Sequence, residues 1–196
     1  YLNYQFFKQD KRRNMNQLTL TKKSIFAAVC LALCVVLPMA FHTIPGAGSI
    51  YLPMHIPVLL CGLICGWSFG LLVGILGPIL SSLFTGMPPA AYLPTMIVEL
   101  AVYGLVAGLL FQIIRTKKMA PDLYISLIGA MLIGRIVAGI VRALIFSPGQ
   151  LSMQAWVTSY FVTGLPGIVI QILLIPAIIY ALMQARLIPQ RYSKGA

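Results

Sequence analysis

Three ionisable side chains, Glu99, Arg135 and Arg142, lie inside long apolar stretches of this 196-residue chain. Charged groups at membrane depth are costly, and those that persist usually face a cavity or pair with one another. An arginine presents a planar fork of donors that matches a carboxylate or a phosphate. Arg142 follows Arg135 by about two helical turns, which places both on one helix face. The set therefore indicates a buried ion pair, an anion-binding site, or both.

The roles of the three charges have alternative interpretations. Glu99 and Arg135 lie at similar depths in consecutive apolar stretches, so an ion pair within a bundle is one interpretation. Glu99 can neutralise only one arginine, and depth favours Arg135 as its partner. We therefore expect Arg142, nearer the outer mouth, to contact a substrate carboxylate, with snorkelling to the outer headgroups as the competing explanation. The two arginines could also exchange these roles.

Both histidines of the chain, His42 and His55, lie in one uncharged connection that also contains Tyr51 and Met54. Its Pro and Gly residues predict a non-helical segment. This segment could fold over a pocket as a lid, or form an ordinary loop with its histidines at headgroup level. We expect Glu99 to lie deeper than both histidines, which argues against metal binding and acid–base catalysis.

Motifs for catalysis are missing from the chain. It has no nucleophile motif, no HExxH, and no phosphate-binding glycine loop with a Lys-Ser/Thr ending, so it is not expected to hydrolyse ATP. Its four cysteines, Cys30, Cys34, Cys61 and Cys65, all lie in apolar runs. Metal or redox use would require thiolates in a polar pocket. The cysteines are therefore predicted to be small apolar packing residues.

The composition excludes a soluble domain. The chain is 60% hydrophobic and 9% charged, whereas a soluble domain has about 25% charged residues. Its net charge of +11 lies mainly in three clusters that flank apolar stretches, so membrane topology explains the charge better than nucleic acid does. The clusters are Lys8, Lys11, Arg12, Arg13, Lys22 and Lys23; Arg115, Lys117 and Lys118; and Arg186, Arg191 and Lys194.

The apolar stretches predict six membrane spans. About 20 apolar residues cross a bilayer as a helix, and the uncharged run 54–84 is too long for one upright span. If this run crosses twice, with a break near 65–70, all three basic clusters share one side. The predicted fold is an all-α integral membrane protein, a six-transmembrane-helix bundle with cytoplasmic N and C termini. The spans are predicted near 24–41, 54–66, 69–84, 90–114, 122–146 and 156–184.

The predicted domain organisation is simple. Residues 1–14 differ from the remainder and precede Met15, so we interpret them as a non-native or upstream remnant. Residues 15–196 are predicted to form a single six-helix membrane domain. Glycines recur at four-residue spacing in the double-crossing run, which predicts close helix packing there: Gly62, Gly66, Gly70 and Gly74.

Five segments of the chain resemble the substrate-binding S components of energy-coupling factor (ECF) transporters, most closely the pantothenate-specific group. They are KKSIFAAVCLA at 22–32, YLPMHIPVLLCG at 51–62, GILGPILSSLFTGMPP at 74–89, ELAVYG at 99–104 and GRIV at 134–137. The resemblance implies a six-helix fold with substrate near the outer face, beneath the first loop. It also implies that Ala28 and Ala32, an AxxxA pair, dock on a transmembrane coupling subunit.

The resemblance further implies two partner ATPase subunits that use ATP, with no cofactor in this chain. Pantothenate carries a carboxylate, two hydroxyls and an amide, which suits arginine and hydroxyl side chains. The candidate substrate-binding residues are Tyr51, His55, Tyr92, Glu99, Tyr103, Arg135, Arg142 and Tyr160. Alternatives are pyridoxine, a thiamine pyrimidine or cobalamin as substrate, a membrane-embedded enzyme using His42, His55 and Glu99, and an assembly subunit without a ligand.

Overall fold

The computed structural model describes residues 18–41, 44, 46–146 and 153–192, with the backbone alone for residues 146, 153, 155 and 160. Every regular element in these ranges is helical. They are α1 (Leu20–Ala40), α2 (Ala47–Tyr51), α3 (His55–Cys65), α4 (Trp67–Thr85), α5 (Leu93–Ile113), α6 (Met119–Val141), a π-helical turn (Arg142–Phe146), α7 (Met153–Val157), a second π-helical turn (Thr158–Val162) and α8 (Leu165–Gln184).

Six of these helical segments are long and apolar enough to cross a membrane. They are α1, α2 together with α3, α4, α5, α6 with its π-helical continuation to Ile145, and α8. The all-helical architecture with six spans confirms the predicted fold class. The cytoplasmic placement of the termini stays a prediction from the basic clusters.

The break in the double-crossing run lies at Gly66, within the predicted segment. Gly66 has a φ of 98°, a backbone conformation that favours glycine, and it separates α3 from α4. The prediction of a non-helical first connection was wrong, because residues 47–51 form α2 between Gly46 and the left-handed Leu52. This short helix packs on the start of α8, where a Cβ on Gly167 would lie 2.8 Å from Ile50 O.

The last predicted span, 156–184, is divided in the structure. Its first part forms the end of α7 and a π-helical turn, and a turn at Thr163 and Gly164 precedes α8. Pro166 occupies the first turn of α8, where its missing N–H costs no helical hydrogen bond. The spanning helix therefore begins at Leu165, later than the apolar pattern alone predicts.

Helix α5 is the centre of the bundle and packs against α3, α4 and α6. A Cβ on Gly70 would lie 2.3 Å from Gly104 O, and one on Gly62 would lie 2.4 Å from the same oxygen. A Cβ on Gly74 would meet Leu100 O at 2.4 Å. The glycine spacing thus serves close backbone approach, as the sequence predicts.

One end of the bundle, here called the basic end, carries Lys23, Arg115, Lys118 and Arg191. The start of α1 meets the end of α3 there, since Cys65 Sγ lies 3.7 Å from Lys23 O. The final described segment also returns to this end. Arg191 donates to Phe111 O and to Ile114 O, with its guanidinium 4.3 Å from the Phe111 ring centroid. This segment therefore caps the last carbonyls of α5.

Asp122 in the first turn of α6 organises the basic end. Its side chain is fully buried, and it accepts from Thr116 N at 2.8 Å and Thr116 Oγ1 at 2.7 Å. Tyr192 Oη donates to its other oxygen, and Arg191 Nε lies 3.5 Å from that oxygen. The sequence interpretation assigned no role to Asp122. Its position at a helix N-terminus further stabilises the charge.

Candidate functional site

A cavity of about 640 Å³ lies at the end of the bundle opposite the basic end. Its wall comes from the end of α1, the segment around α2, the connection between α4 and α5, the start of α5, the second half of α6, the second π-helical turn, and the turn before α8. The volume falls within the range of small-molecule sites. The polar residues of the wall are Ser49, His55, Tyr92, Thr95, Glu99, Arg135, Arg142, Ser159 and Thr163.

Arg135 projects from α6 to the cavity wall and is 2% exposed. Its Nε donates to Tyr103 Oη at 2.8 Å, and its guanidinium lies 5.6 Å from the Phe161 ring centroid. Its Nη1 is buried without a hydrogen-bond partner in the described structure. A buried guanidinium therefore borders the cavity with bonding capacity left over.

His55 and Glu99 meet at the same cavity. His55 Nε2 lies 3.4 Å from Glu99 Oε1, and the two side chains are 1% and 12% exposed. The other ring nitrogen of His55, Nδ1, is buried without a partner in the described residues. The expectation that His55 lies at the surface, away from Glu99, was wrong. His55 begins α3, so it points into the bundle instead of lying in a loop.

The predicted ion pair between Glu99 and Arg135 was also wrong. Their helices α5 and α6 are neighbours, as the prediction required, but no N···O distance between these two side chains is within 4.0 Å. Glu99 approaches His55 on α3, and Arg135 bonds the hydroxyl of Tyr103. Similar depth in the membrane does not fix how each helix is rotated about its axis, and rotation decides which side chains meet.

Arg142 lies where α6 passes into its π-helical turn and reaches the same cavity. It is partly exposed, and its guanidinium lies 5.9 Å from the ring centroid of the exposed Tyr92. No carboxylate of the described residues lies within 4.0 Å of it. Arg135 and Arg142 therefore share a cavity, as their spacing predicts.

The cavity wall is electropositive among the described residues. Two guanidinium groups face one carboxylate there. The carboxylate of Glu99 lies 3.4 Å from His55 Nε2 and also interacts with the hydroxyl of Tyr103, and among the described residues no salt bridge joins it to either arginine. Such an arrangement attracts an anionic group, and a buried guanidinium holds it more strongly than an exposed one does.

The remaining predicted site residues have different positions. Tyr103 is fully buried behind Arg135 and is not part of the cavity wall. Tyr51 stacks on Phe41 with ring centroids 5.5 Å apart and is also not part of the wall. The side chain of Tyr160 and the whole of His42 lie outside the described residues. Of the seven candidates whose side chains the structure describes, the wall contains five: His55, Tyr92, Glu99, Arg135 and Arg142.

Sequence reasoning missed several hydroxyl residues of the wall. Thr95 lies one helical turn before Glu99 on α5, a spacing that places both on one face and could have identified it. Its hydroxyl donates to Tyr92 O at 2.9 Å and can still accept a hydrogen bond. Ser49 lies in α2, Ser159 in the second π-helical turn and Thr163 in the turn before α8, and the sequence has no signal that brings these segments to the cavity.

The other predicted positions lie along α1 and α3. Ala28 and Ala32 are exposed on α1, whereas Cys30 and Cys34 on its opposite face are buried. All four cysteines are free and belong to the apolar core, as predicted. Within the described ranges, no cluster of three or more His, Cys, Asp or Glu could hold a metal ion.

Comparison with known proteins identifies a family for this helical architecture. A search of curated proteins and a search of solved structures each found no match. The family model described as "ECF transporter, substrate-specific component" matches residues 22–179. This range begins in the first turn of α1 and ends within α8. The chain therefore belongs to the family of substrate-specific components of ECF transporters.

Proposed function

We propose that this protein captures a small anionic vitamin, pantothenate foremost, at the outer face of a bacterial cytoplasmic membrane for ATP-driven import. The observation that carries the proposal is the cavity of about 640 Å³ with Arg135 and Arg142 in its wall and a single carboxylate nearby. Family membership makes the chain the substrate-binding part of a transporter. The charge of the cavity supports an anion as the substrate.

Pantothenate fits the chemistry of the wall better than the alternative substrates do. Its carboxylate matches an arginine fork, and its hydroxyls and amide match Glu99, Thr95 and neighbouring hydroxyl groups. Pyridoxine and a thiamine pyrimidine have no carboxylate and would leave both guanidinium groups without an anion. Cobalamin is a corrinoid far larger than the other candidates, and the cavity volume favours the smaller molecules.

The proposed transport mechanism requires partner subunits. A transmembrane coupling subunit and two ATPase subunits supply the energy, and this chain needs no cofactor of its own. The exposed pair Ala28 and Ala32 supports a docking face on α1, because small side chains permit close helix approach. A membrane enzyme using His55 and Glu99 has some geometric support, since the two groups meet. The family, however, is one of transporter components and not of enzymes.

Titration of pantothenate into the purified protein tests the substrate proposal. We expect saturable binding by calorimetry, and competition by neither pyridoxine nor the thiamine pyrimidine. Mass spectrometry of small molecules that remain bound through purification provides an independent identification. Absence of pantothenate binding, together with another vitamin carried through purification, would replace the substrate assignment.

A double substitution tests the docking proposal. Ala28→Leu with Ala32→Leu should weaken capture by the partner complex, because the larger side chains block close approach of a facing helix. Ligand binding should be unchanged, since both positions lie away from the cavity wall. Ala40→Leu is the matched control, an exposed alanine at the other end of α1. Uptake by this chain without any ATPase would contradict the mechanism.

A further inference from the structure

Tyr103 lies beneath the cavity and connects its charged groups. Its hydroxyl accepts from Arg135 Nε at 2.8 Å, and its ring meets the His55 ring edge-on with centroids 5.1 Å apart. The ring also lies against α6, where a Cβ on Gly134 would be 1.9 Å from Tyr103 Cδ1. A side chain at residue 134 would therefore displace this ring. Helix α6 thus leaves space for a tyrosine that touches an arginine but does not border the cavity.

The hydrogen bond from Arg135 to Tyr103 restricts the guanidinium plane. An arginine side chain has many rotamers, and a fixed Nε leaves far fewer orientations for the terminal nitrogens. Phe161 lies on one side of the guanidinium, 5.6 Å from it to the ring centroid, and Nη1 has no partner in the described structure. A buried donor without an acceptor is costly. An anion in the cavity would remove that cost.

Arg142 has a different environment from Arg135. It is partly exposed, and the aromatic ring beside it, Tyr92, is 54% exposed. A guanidinium in contact with water gains less from an anion than a desolvated one does. The partial exposure of Arg142 suits attraction of the ligand at the mouth. The burial of Arg135 suits the stronger contact.

We infer that Tyr103 is a positioning residue that orients Arg135 as the principal anion contact of the cavity, with Arg142 as a weaker contact nearer the surface. This inference rests on the proposed function and reverses the order of the two arginines expected from sequence. The earlier expectation assumed that Glu99 occupies Arg135. The structure directs Glu99 to His55 instead.

Acid and neutral ligand pairs test the inference in the full-length purified protein. The probes are pantothenate with its alcohol, pantothenol, and nicotinate with nicotinamide. Tyr103→Phe keeps the ring and removes the hydroxyl that accepts from Arg135 and also interacts with Glu99. We expect the affinity for the acid to fall about tenfold, because that is the size of a charge-assisted hydrogen bond. The affinity for its neutral partner should stay unchanged. Ser126→Ala is the matched control.

The control removes another fully buried hydroxyl, one that donates to Asp122 O at 2.6 Å far from the cavity. It should leave the acid-to-neutral affinity ratio at the parent value. An equal loss for both members of a pair in Tyr103→Phe would indicate general loosening and overturn the inference. Arg135→Lys provides a second variant, and an unchanged affinity ratio in it would also overturn the inference.

The same panel separates this inference from the substrate assignment. If pantothenate fails to bind but nicotinate binds more tightly than nicotinamide, the assignment to pantothenate is wrong. The Tyr103→Phe ratio for the nicotinate pair then decides the role of Tyr103. If neither acid binds the parent protein more tightly than its neutral partner does, Arg135 is not an anion contact and the inference is overturned.

Discussion

The two ends of the bundle differ in whether their buried polar groups have hydrogen-bond partners. At the basic end, the carboxylate of Asp122 is fully buried and has partners on Thr116, Arg191 and Tyr192. At the cavity end, Arg135 and His55 are almost as buried, yet Nη1 and Nδ1 lack partners in the described structure. A buried polar atom without a partner costs about 1 to 3 kcal/mol. The buried charge of the basic end is therefore bonded within the protein, whereas the cavity end keeps the unused bonding capacity that the proposed ligand would complete.

Cysteine labelling tests which end of the bundle faces the outside of the cell. The difference in labelling between the two ends should be nearly complete. Lys118→Cys at the basic end and Met87→Cys at the cavity end are both exposed positions. An impermeant maleimide added to intact cells should label residue 87 and not residue 118, because basic clusters remain cytoplasmic. The parent protein is the control, since its four cysteines are buried. External labelling of residue 118 would invert the assignment of the two ends.

Removal of the buried carboxylate should give the largest loss of stability. Asp122→Ala leaves Thr116, Arg191 and Tyr192 without their acceptor, and breaking a buried ion pair typically costs about 3 to 5 kcal/mol. Thermal unfolding of the detergent-solubilised variant measures the loss, with the parent beside it. Ligand affinity of the folded fraction should match the parent. A loss below about 1 kcal/mol would show that this cluster is not a stabilising one.

Removal of one member of the cluster should have a smaller effect. Tyr192→Phe deletes a single hydrogen bond and keeps those from Thr116 to Asp122, so we expect about 1 kcal/mol of destabilisation. The same unfolding measurement applies. A loss as large as that of Asp122→Ala would mean that Tyr192 alone fixes the terminal segment, and that Arg191 contributes nothing.

Replacement of the partly exposed arginine should have the smallest effect. Arg142→Gln should weaken pantothenate binding about threefold at low salt and less at high salt, because exposed charges are screened. Arg115→Gln at the basic end is the matched control, and it should leave affinity unchanged. Calorimetric titration at two salt concentrations measures both variants. A loss greater than that of Tyr103→Phe would make Arg142 the principal contact after all.

The helices and their packing were largely predictable from the sequence. Apolar length predicted six spans. The recurrence of glycine predicted close helix packing in the double-crossing run, and in the structure these glycines also lie against α5, which the sequence did not indicate. The start of α8 was not predictable from apolarity, because the residues before it are also apolar but form a separate short helix and turns. The length of an apolar stretch shows whether a helix there could cross the membrane. The residue at which that helix begins depends on local residues such as Pro166.

The charged residues of the cavity wall were predictable from the sequence, but their pairing was not. The spacing of Arg135 and Arg142 correctly placed both on one cavity. The predicted partner of Glu99 was wrong because His55 approaches it from α3. A contact between residues far apart in the sequence leaves no periodic pattern that could predict it. Asp122 escaped notice for the same reason, since Arg191 and Tyr192 reach it from the far end of the sequence.

One assay on matched arginine variants tests the central contrast directly. The unfolding temperature is measured with and without saturating pantothenate for the parent, Arg135→Lys and Arg191→Lys, each variant keeping its charge and losing its planar fork. We predict that Arg191→Lys lowers the unfolding temperature and keeps the ligand-induced increase. Arg135→Lys should keep the unfolding temperature near that of the parent and lose most of the increase. The opposite pattern, or equal effects of both variants on both quantities, would contradict the division between a stabilising end and a ligand-binding end.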